Sequence, residues 1–222
     1  MRCKFMRKEN RTYYFSVEGK TELWYLEWLQ QRINAEENAK MTVKLDVKVQ
    51  KNPFDRVKRL TMISKTEITH IFDYESNEEQ HVKQFKSVID NMKKAQNSGK
   101  NVKYNLGYSN FTFELWLILH RRDCSQPLNH RNQYLTLLNR AFHENFENLE
   151  QVKQEKQFKR ILAALDLNDV RSAIQRSKKM MENNRTAGYK LQQYKGYAYY
   201  RENPSLSIWE QIERILVECG LQ

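Results

Sequence analysis

Short segments of alternating apolar and polar residues run through the N-terminal half of the chain, and each is followed by a segment with helical spacing. The strand-like segments cover residues 12–17, 41–49, 68–72 and 102–106, and the helical segments cover residues 20–34, 53–63 and 78–97. A regular alternation of strand and helix predicts right-handed βαβ units. We therefore expect an α/β fold with a parallel sheet of about four strands flanked by helices.

The C-terminal half has mainly helical patterns. Residues 111–120 are apolar on nearly every side and predict a short buried helix, and an amphipathic helix is expected after Pro204 and Ser205. Further helical patterns cover residues 134–142, 157–165 and 170–182. We expect an α/β core over residues 1–122 and a helical extension over residues 123–222, packed on the core as one structural unit.

The composition is typical of a folded cytoplasmic protein. Hydrophobic residues make up 40% of the 222, and no apolar run approaches the ~18 residues of a membrane span. The basic residues 1–10 lack the apolar stretch of a secretory signal. Cys3, Cys124 and Cys219 are odd in number and far apart, as expected of free thiols. We expect a cytoplasmic localisation and no membrane partner.

Positive charge exceeds negative charge, with 38 Lys and Arg against 27 Asp and Glu and a net charge of +11. Residues 153–201 hold 12 basic and 4 acidic side chains, and residues 40–65 hold 8 and 2. Acidic residues gather instead at 73–79 and 143–150. Basic segments around an acidic centre indicate a site for metal and phosphate together, so nucleic acid is the expected partner.

Acidic residues stand at the carboxyl ends of two predicted strands. Glu18 follows the first strand, and Asp73 and Glu75 follow the third. In parallel α/β sheets, functional groups gather at this edge. Each feature has a plainer explanation, as a βα turn with a solvated glutamate or as a solvated acid pair. Together, carboxylates at two strand ends favour a divalent cation, which relieves their repulsion.

The turn after the first strand contains Gly19, Lys20 and Thr21. Glycine permits a tight turn there, and a helix N-terminus attracts phosphate. The three residues resemble the end of a P-loop, but the first glycine of that motif would fall at Tyr14. The glycine-rich loop that holds the phosphates in a P-loop is therefore absent, and binding of a nucleoside triphosphate through this motif is excluded.

Glu114 lies within the apolar segment 111–120. An unpaired buried carboxylate is costly, so Glu114 should meet a metal, a cation or a helix-end amide, and a buried salt bridge is an equally good explanation. His120 ends the segment and either caps the helix or holds a phosphate or water. The remaining histidines lack zinc spacing, and no Ser or Cys has the pattern of a nucleophile.

Tyrosines are interleaved with basic residues near the end of the basic segment 153–201. The tyrosines in question are Tyr189, Tyr194, Tyr197, Tyr199 and Tyr200. This pattern is compatible with a surface that stacks bases and binds phosphate, or with ordinary core contacts between helices.

Four motifs of the chain resemble the RloB-like family. They are residues 15–22 (FSVEGKTE), 71–75 (IFDYE), 109–120 (SNFTFELWLILH) and 203–205 (NPS). The resemblance spans about residues 12–216, and the third motif is its most specific part. Phe111 stands where the family usually has proline. The resemblance implies a Toprim-type catalytic domain and an origin in a bacterial abortive-infection or restriction-linked locus.

The resemblance implies roles for individual residues. Toprim domains hold Mg²⁺ with a glutamate after the first strand and an Asp-x-Asp after the third, so Glu18, Asp73 and Glu75 would be the metal ligands and catalytic residues. Glu75 replaces the second Asp and is longer by one methylene. Glu22 and Glu114 are further catalytic candidates, for a second metal or for positioning water. The expected phosphate-binding residues are Lys20, Ser109, Asn110, His120, Lys178, Lys179 and Arg185.

The expected function is that of a nuclease dependent on Mg²⁺ or Mn²⁺, cleaving RNA (including tRNA) or DNA in anti-phage defence. The resemblance also implies a partner ATPase encoded nearby, which fits the absence of a nucleotide-binding motif. The alternative is a non-catalytic subunit of a defence complex that binds metal or a partner. The sequence leaves the oligomeric state open.

Overall fold

The computed structural model describes residues 8–61 and 64–222. Cys3 and residues 62–63, the end of the helix predicted for 53–63, lie outside the described residues. The described strands are β1 (Glu9–Val17), β2 (Met41–Val49), β3 (Thr66–Tyr74), β4 (Val102–Asn110), β5 (Gln192–Tyr194) and β6 (Tyr197–Tyr199). The described helices are α1 (Lys20–Ala35), α2 (Pro53–Lys58), α3 (Glu79–Gln96), α4 (Glu114–Arg121), α5 (Gln133–Phe142), α6 (Leu149–Val152), α7 (Glu155–Ala163), α8 (Leu167–Thr186) and α9 (Ile208–Cys219).

The first four strands form one parallel sheet in the order β2-β1-β3-β4. Helices cover both of its faces, because alternate strand residues are apolar on each side. The core on one face contains Val17, Leu26 and Trp116 and lies under α1, α4 and α9. The core on the other face contains Phe72 and Phe85 and lies under α3 and the β5–β6 hairpin. The predicted α/β fold with helices after the sheet is confirmed.

The free edge of β4 is covered by a segment from the C-terminal part of the chain. Asn110 N donates to Ser205 O over 2.9 Å, and Ser207 N donates to Tyr108 O over 2.9 Å. These bonds form an antiparallel bridge between Ser109 and Leu206. The segment satisfies backbone groups that an exposed edge strand would leave unpaired.

The structure differs from the predicted pattern in several places. The helix predicted for 111–120 begins at Glu114, because Phe111 has a φ of 64° and cannot be helical. The helix predicted from Pro53 ends at Lys58. The β5–β6 hairpin was not predicted, since three-residue strands give too short a pattern. In the part of the chain that the structure describes, we find no helix with the length and apolar character to cross a membrane.

Gly107 in β4 packs closely against β3. A Cβ at this position would lie 3.2 Å from Ile71 Cγ1 and 3.3 Å from Thr69 Cγ2. We expect Gly107→Ala to lower the free energy of unfolding by about 1–3 kcal/mol, because β-branched neighbours in a sheet yield little space. Chemical denaturation checks this, with the exposed Lys103→Ala on the same strand as the control. An unchanged denaturation midpoint for Gly107→Ala would contradict the tight packing.

Candidate active site

Carboxylates from three neighbouring strand ends lie at the carboxyl edge of the sheet. Glu18 follows β1, Asp73 is the penultimate residue of β3 and Glu75 follows that strand. Glu114 is the first residue of α4, which follows β4. Because β1 is next to β3 and β3 is next to β4, the sheet order brings these residues to one region.

Glu18 and Asp73 are joined by a direct contact. The backbone N–H of Asp73 donates to Glu18 Oε2 over 3.2 Å. The pairing of Val17 with Ile71 in the parallel ladder places the end of β1 beside this part of β3. The two acids predicted to share a site are therefore adjacent in the fold.

Glu22 adds a buried carboxylate from the first turn of α1. It is 4% exposed, and Thr21 Oγ1 donates to its Oε2 over 3.0 Å. A Cβ on Gly19 would lie 3.1 Å from the same Oε2. Glycine therefore leaves room at this turn for the close approach of the Glu22 carboxylate and is not required by a positive φ.

Glu114 is fully buried and incompletely hydrogen-bonded. The Thr112 hydroxyl donates to Glu114 Oε2, whereas Glu114 Oε1 is buried and has no hydrogen-bond partner among the described residues. Within residues 8–61 and 64–222, Glu114 forms no ion pair, so the buried salt bridge considered from the sequence is not found there. An orphaned carboxylate oxygen calls for a proton or a cation.

Burial and, to a smaller extent, mutual repulsion raise the pKa values of the carboxylates. Burial raises the pKa of Asp73 well above its usual range, and Glu22, Glu18 and Glu114 raise it further. Burial, with smaller effects of Glu114 and Glu18, raises the pKa of Glu22 to about 7. Burial also raises the pKa of Glu18, opposed by the hydrogen bond from Asp73 and by Lys51. The cluster thus disfavours its own negative charge.

Glu75 lies at the exposed side of the cluster. Its Oε2 is 3.4 Å from His81 Nε2, and the Ser76 hydroxyl contacts His81 Nδ1 over 2.7 Å. Its charge contributes to the raised pKa of Glu18. Glu75 therefore belongs to the same electrostatic site, although its carboxylate faces solvent.

The donor set suits a hard divalent cation. Glu18, Glu22, Asp73 and Glu114 offer oxygen ligands, and in the described residues none of these four forms an ion pair. Across the same residues, no three His, Cys, Asp or Glu side chains are arranged so that they could hold a metal ion. A cation would therefore require carboxylate side chains to rotate toward it.

A cleft of about 260 Å³, which we call the acidic cleft, opens over these carboxylates. Glu18, Glu22, Asp73 and Glu75 line it. Its basic rim consists of Lys20, Lys51, Arg131 and Lys153. The rim supplies four cations beside four carboxylates, which suits a phosphate held next to a metal ion.

Three of the predicted phosphate-binding residues are buried in the core. Ser109 is 1% exposed, and its hydroxyl has no hydrogen-bond partner in the part of the chain that the structure describes. The Asn110 amide donates to Arg201 O over 3.2 Å and accepts from the Ser205 hydroxyl. His120 Nδ1 donates to Trp116 O over 2.9 Å, and burial lowers the pKa of His120 to about 4. Their observed contacts are with the protein itself.

The predicted phosphate-binding residues of α8 lie outside the lining of the acidic cleft. Lys178 pairs with Glu213 over 2.5 Å, and Arg185 pairs with Glu182 over 2.6 Å. Lys179 is exposed on the same helix. Among the predicted phosphate ligands, Lys20 is the one that lines the acidic cleft.

Three rim residues were not identified individually from the sequence. Lys51 comes shortly after β2, so its position near a strand end was a usable signal. Lys153 begins the basic segment 153–201, but the pattern gave no reason to single it out. Arg131 lies in a polar stretch before α5 and reaches the cleft through tertiary packing.

The tyrosines near the C-terminus contribute mostly to packing. Tyr197, Tyr199 and Tyr200 are buried, and the Tyr199 ring lies 4.8 Å from that of Phe85. Tyr194 packs on the same core. The core interpretation therefore describes these residues, whereas Tyr189 is partly exposed.

The fold and the cleft define a class of α/β protein with a carboxylate site at the carboxyl edge of a parallel sheet. The sequence matches the family model described as RloB-like protein over residues 13–215. The chain belongs to the RloB-like family, and the resemblance seen in the four motifs is confirmed. No curated protein and no solved structure matches it.

Proposed function

We propose that the protein is a nuclease of the Toprim type that cleaves phosphodiester bonds in RNA or DNA with the help of Mg²⁺ or Mn²⁺. The observation that carries this proposal is the cluster of carboxylates, with raised pKa values at Glu18, Glu22 and Asp73, beside the basic rim in one cleft. A cluster of this kind is unfavourable until a cation joins it, and the rim suits the phosphates of a polyanion.

Glu18, Asp73 and Glu75 would hold one or two of these cations. A bound divalent cation supplies charge neutralisation at the scissile phosphate and makes water a better nucleophile. The carboxylates of Glu22 and Glu114 would orient water or support a second ion. Lys20, Lys51, Arg131 and Lys153 would hold the phosphates on either side of the scissile bond.

The biological setting is part of the proposal. Membership of the RloB-like family supports a role as the effector of a bacterial anti-phage system, in the cytoplasm, under the control of a partner ATPase. A non-catalytic subunit that binds metal or a partner through the same acids is the competing function. The two make different predictions for the isolated protein and for the complex.

Incubation of the purified protein with RNA and DNA substrates tests the proposal. We expect cleavage in Mg²⁺ or Mn²⁺, with the partner ATPase and a phage trigger added where the protein alone is inactive, and no cleavage in EDTA. Isothermal titration with Mn²⁺ measures binding separately. Metal binding with no cleavage under any of these conditions would favour the non-catalytic subunit.

The basic rim gives a second prediction. We expect Lys51→Gln and Lys153→Gln each to weaken nucleic-acid binding about 3- to 10-fold and to reduce the slope of log affinity against log salt by about 1, because each removes one phosphate contact. Filter binding over a salt series measures both quantities. Lys159→Gln is the matched control, since Lys159 is exposed, lies outside the lining of the acidic cleft and pairs with Glu155 much as Lys153 pairs with Glu150. Equal effects of all three would mean that the rim is not the binding surface.

A further inference from the structure

Phe111 stands in a strained turn at the edge of the acidic cleft. Its φ is 64°, a conformation unfavourable for a bulky side chain, and Thr112 N donates to Asn110 O across it over 2.8 Å. These features define a γ-turn with a positive central φ, which is rare. Phe111 N also donates to Tyr74 O over 2.8 Å, which fixes the turn to the end of β3.

The Phe111 side chain lines two clefts at once. One is the acidic cleft, and the other is a second cleft of about 590 Å³ whose lining includes Asn129, Tyr189 and Arg201. The ring is partly exposed and meets Tyr134 edge to face with centroids 6.4 Å apart. An aromatic residue thus borders both the cleft of the carboxylates and a neighbouring space large enough for a nucleoside.

The two clefts differ in charge. The acidic cleft has four cations beside its four carboxylates, which a bound metal ion would offset, whereas the second cleft has the carboxylates of Glu78 and Glu202 and the single guanidinium of Arg201. A phosphate is favoured by the rim and is not favoured by the second cleft. A neutral base suits the second cleft, because carboxylates and amides can accept hydrogen bonds from its exocyclic amino groups.

We propose that Phe111 stacks on an unpaired base next to the scissile phosphate, and that the second cleft receives this base. The preferred substrate is therefore a single-stranded segment or loop, because a base within an intact duplex cannot expose a face to the ring. The inference rests on the proposed nuclease function, since it takes the acidic cleft as the place of the scissile phosphate.

Binding measurements on the cleavage-deficient Asp73→Asn background test the role of Phe111. The probe is a short single-stranded oligonucleotide carrying 2-aminopurine, in RNA and DNA forms, and its complementary duplex. We expect Phe111→Leu to weaken single-strand binding about 5- to 100-fold and to reduce the quenching of 2-aminopurine, with duplex binding unchanged. Phe111→Tyr should retain both properties, because it keeps the ring.

Two further variants separate stacking from folding. Phe111→Gly relieves the backbone strain of the positive φ and should fold, yet it should bind single strands as weakly as Phe111→Leu. Phe142→Leu, at a partly exposed phenylalanine of α5 outside both clefts, should bind like the background protein. Unchanged single-strand affinity and quenching in Phe111→Leu would overturn the inference.

A failure of the proposed stacking site can be distinguished from a failure of the proposed nuclease function. Ring-dependent quenching in a protein that never cleaves would keep the stacking site and remove the nuclease. Metal-dependent cleavage with no dependence on Phe111 and no preference for single strands would keep the nuclease and remove the stacking site.

Discussion

If the protein is the proposed nuclease, replacing Asp73 with asparagine is expected to lower metal-dependent cleavage at least about 10³-fold, because the loss of a proposed cation ligand would remove several kcal/mol of transition-state stabilisation. Asp73 is chosen because it lies within the cluster: burial, followed by the charges of Glu22, Glu18 and Glu114, raises its pKa. The substitution keeps the shape of the side chain and removes its charge. Single-turnover cleavage with saturating Mg²⁺ measures the loss, and circular dichroism confirms that the variant is folded.

The matched control for Asp73→Asn is Glu79→Gln. Glu79 is an exposed carboxylate in the first turn of α3, paired with Lys83 over 2.6 Å, so the change in net charge is the same. We expect its cleavage rate to stay within about twofold of wild type, as is usual for exposed ion pairs. Glu18→Gln should repeat the loss seen for Asp73→Asn. Full activity in both cluster variants would exclude these carboxylates as metal ligands.

Glu22→Gln is expected to make the metal-free protein more stable at pH 8. Burial and the neighbouring carboxylates raise the pKa of Glu22 from 4.5 to about 7, so the folded state binds a proton more tightly than the unfolded chain does. The free energy of unfolding of the wild-type protein therefore falls as pH rises from 4.5 to 7. The loss is complete above pH 7 and amounts to about 3 kcal/mol. The Glu22→Gln variant has no charge to bury at this position, so its melting temperature should be roughly 6–12 °C higher than that of wild type at pH 8.

The test is the difference in melting temperature between Glu22→Gln and wild type, measured by thermal denaturation in EDTA. His70 and His120 are buried, and burial lowers their pKa values to about 3 and about 4, so they change stability with pH in the opposite direction. Both proteins contain these histidines, so the contribution of the histidines cancels in the difference in melting temperature. It should shrink toward zero near pH 4.5 and should also shrink when Mg²⁺ is added at pH 8. A difference that stays the same at both pH values would contradict the raised pKa of Glu22.

The parts of the fold predicted from sequence are those fixed by local patterns. β1 to β4 and the helices between them follow from apolar periodicity, and Glu18 and Asp73 were recognised because parallel strands direct their carboxyl ends to one edge. The beginning of α4 was missed, because the γ-turn at Phe111 depends on the bond from its N–H to Tyr74 O. A contact between distant residues of this kind leaves no periodic signal.

The basic rim of the acidic cleft is harder to predict from sequence than the carboxylates, because the rim depends more on tertiary structure. Lys153 and Arg131 reach the acidic cleft only because the connections around α5 and α6 pass beside it. Lys178 looks equally available in the sequence, yet in the fold it pairs with Glu213 of α9. Lys153 also contacts a carboxylate, that of the exposed Glu150 over 3.8 Å, and still lines the cleft, so the fold decides which lysine can meet a ligand and composition cannot reveal it.

The pairing of β1 with β3 also makes the site sensitive to the accuracy of folding. Alternate strand residues face opposite sides of a sheet, so sliding β3 by one residue would exchange the places of Asp73 and its neighbour Phe72. A carboxylate would then enter an aromatic core, and Glu18 would lose the N–H that now binds it. A misaligned chain would thus be both unstable and without its acidic cleft, so the same alignment that builds the site penalises the nearest wrong fold.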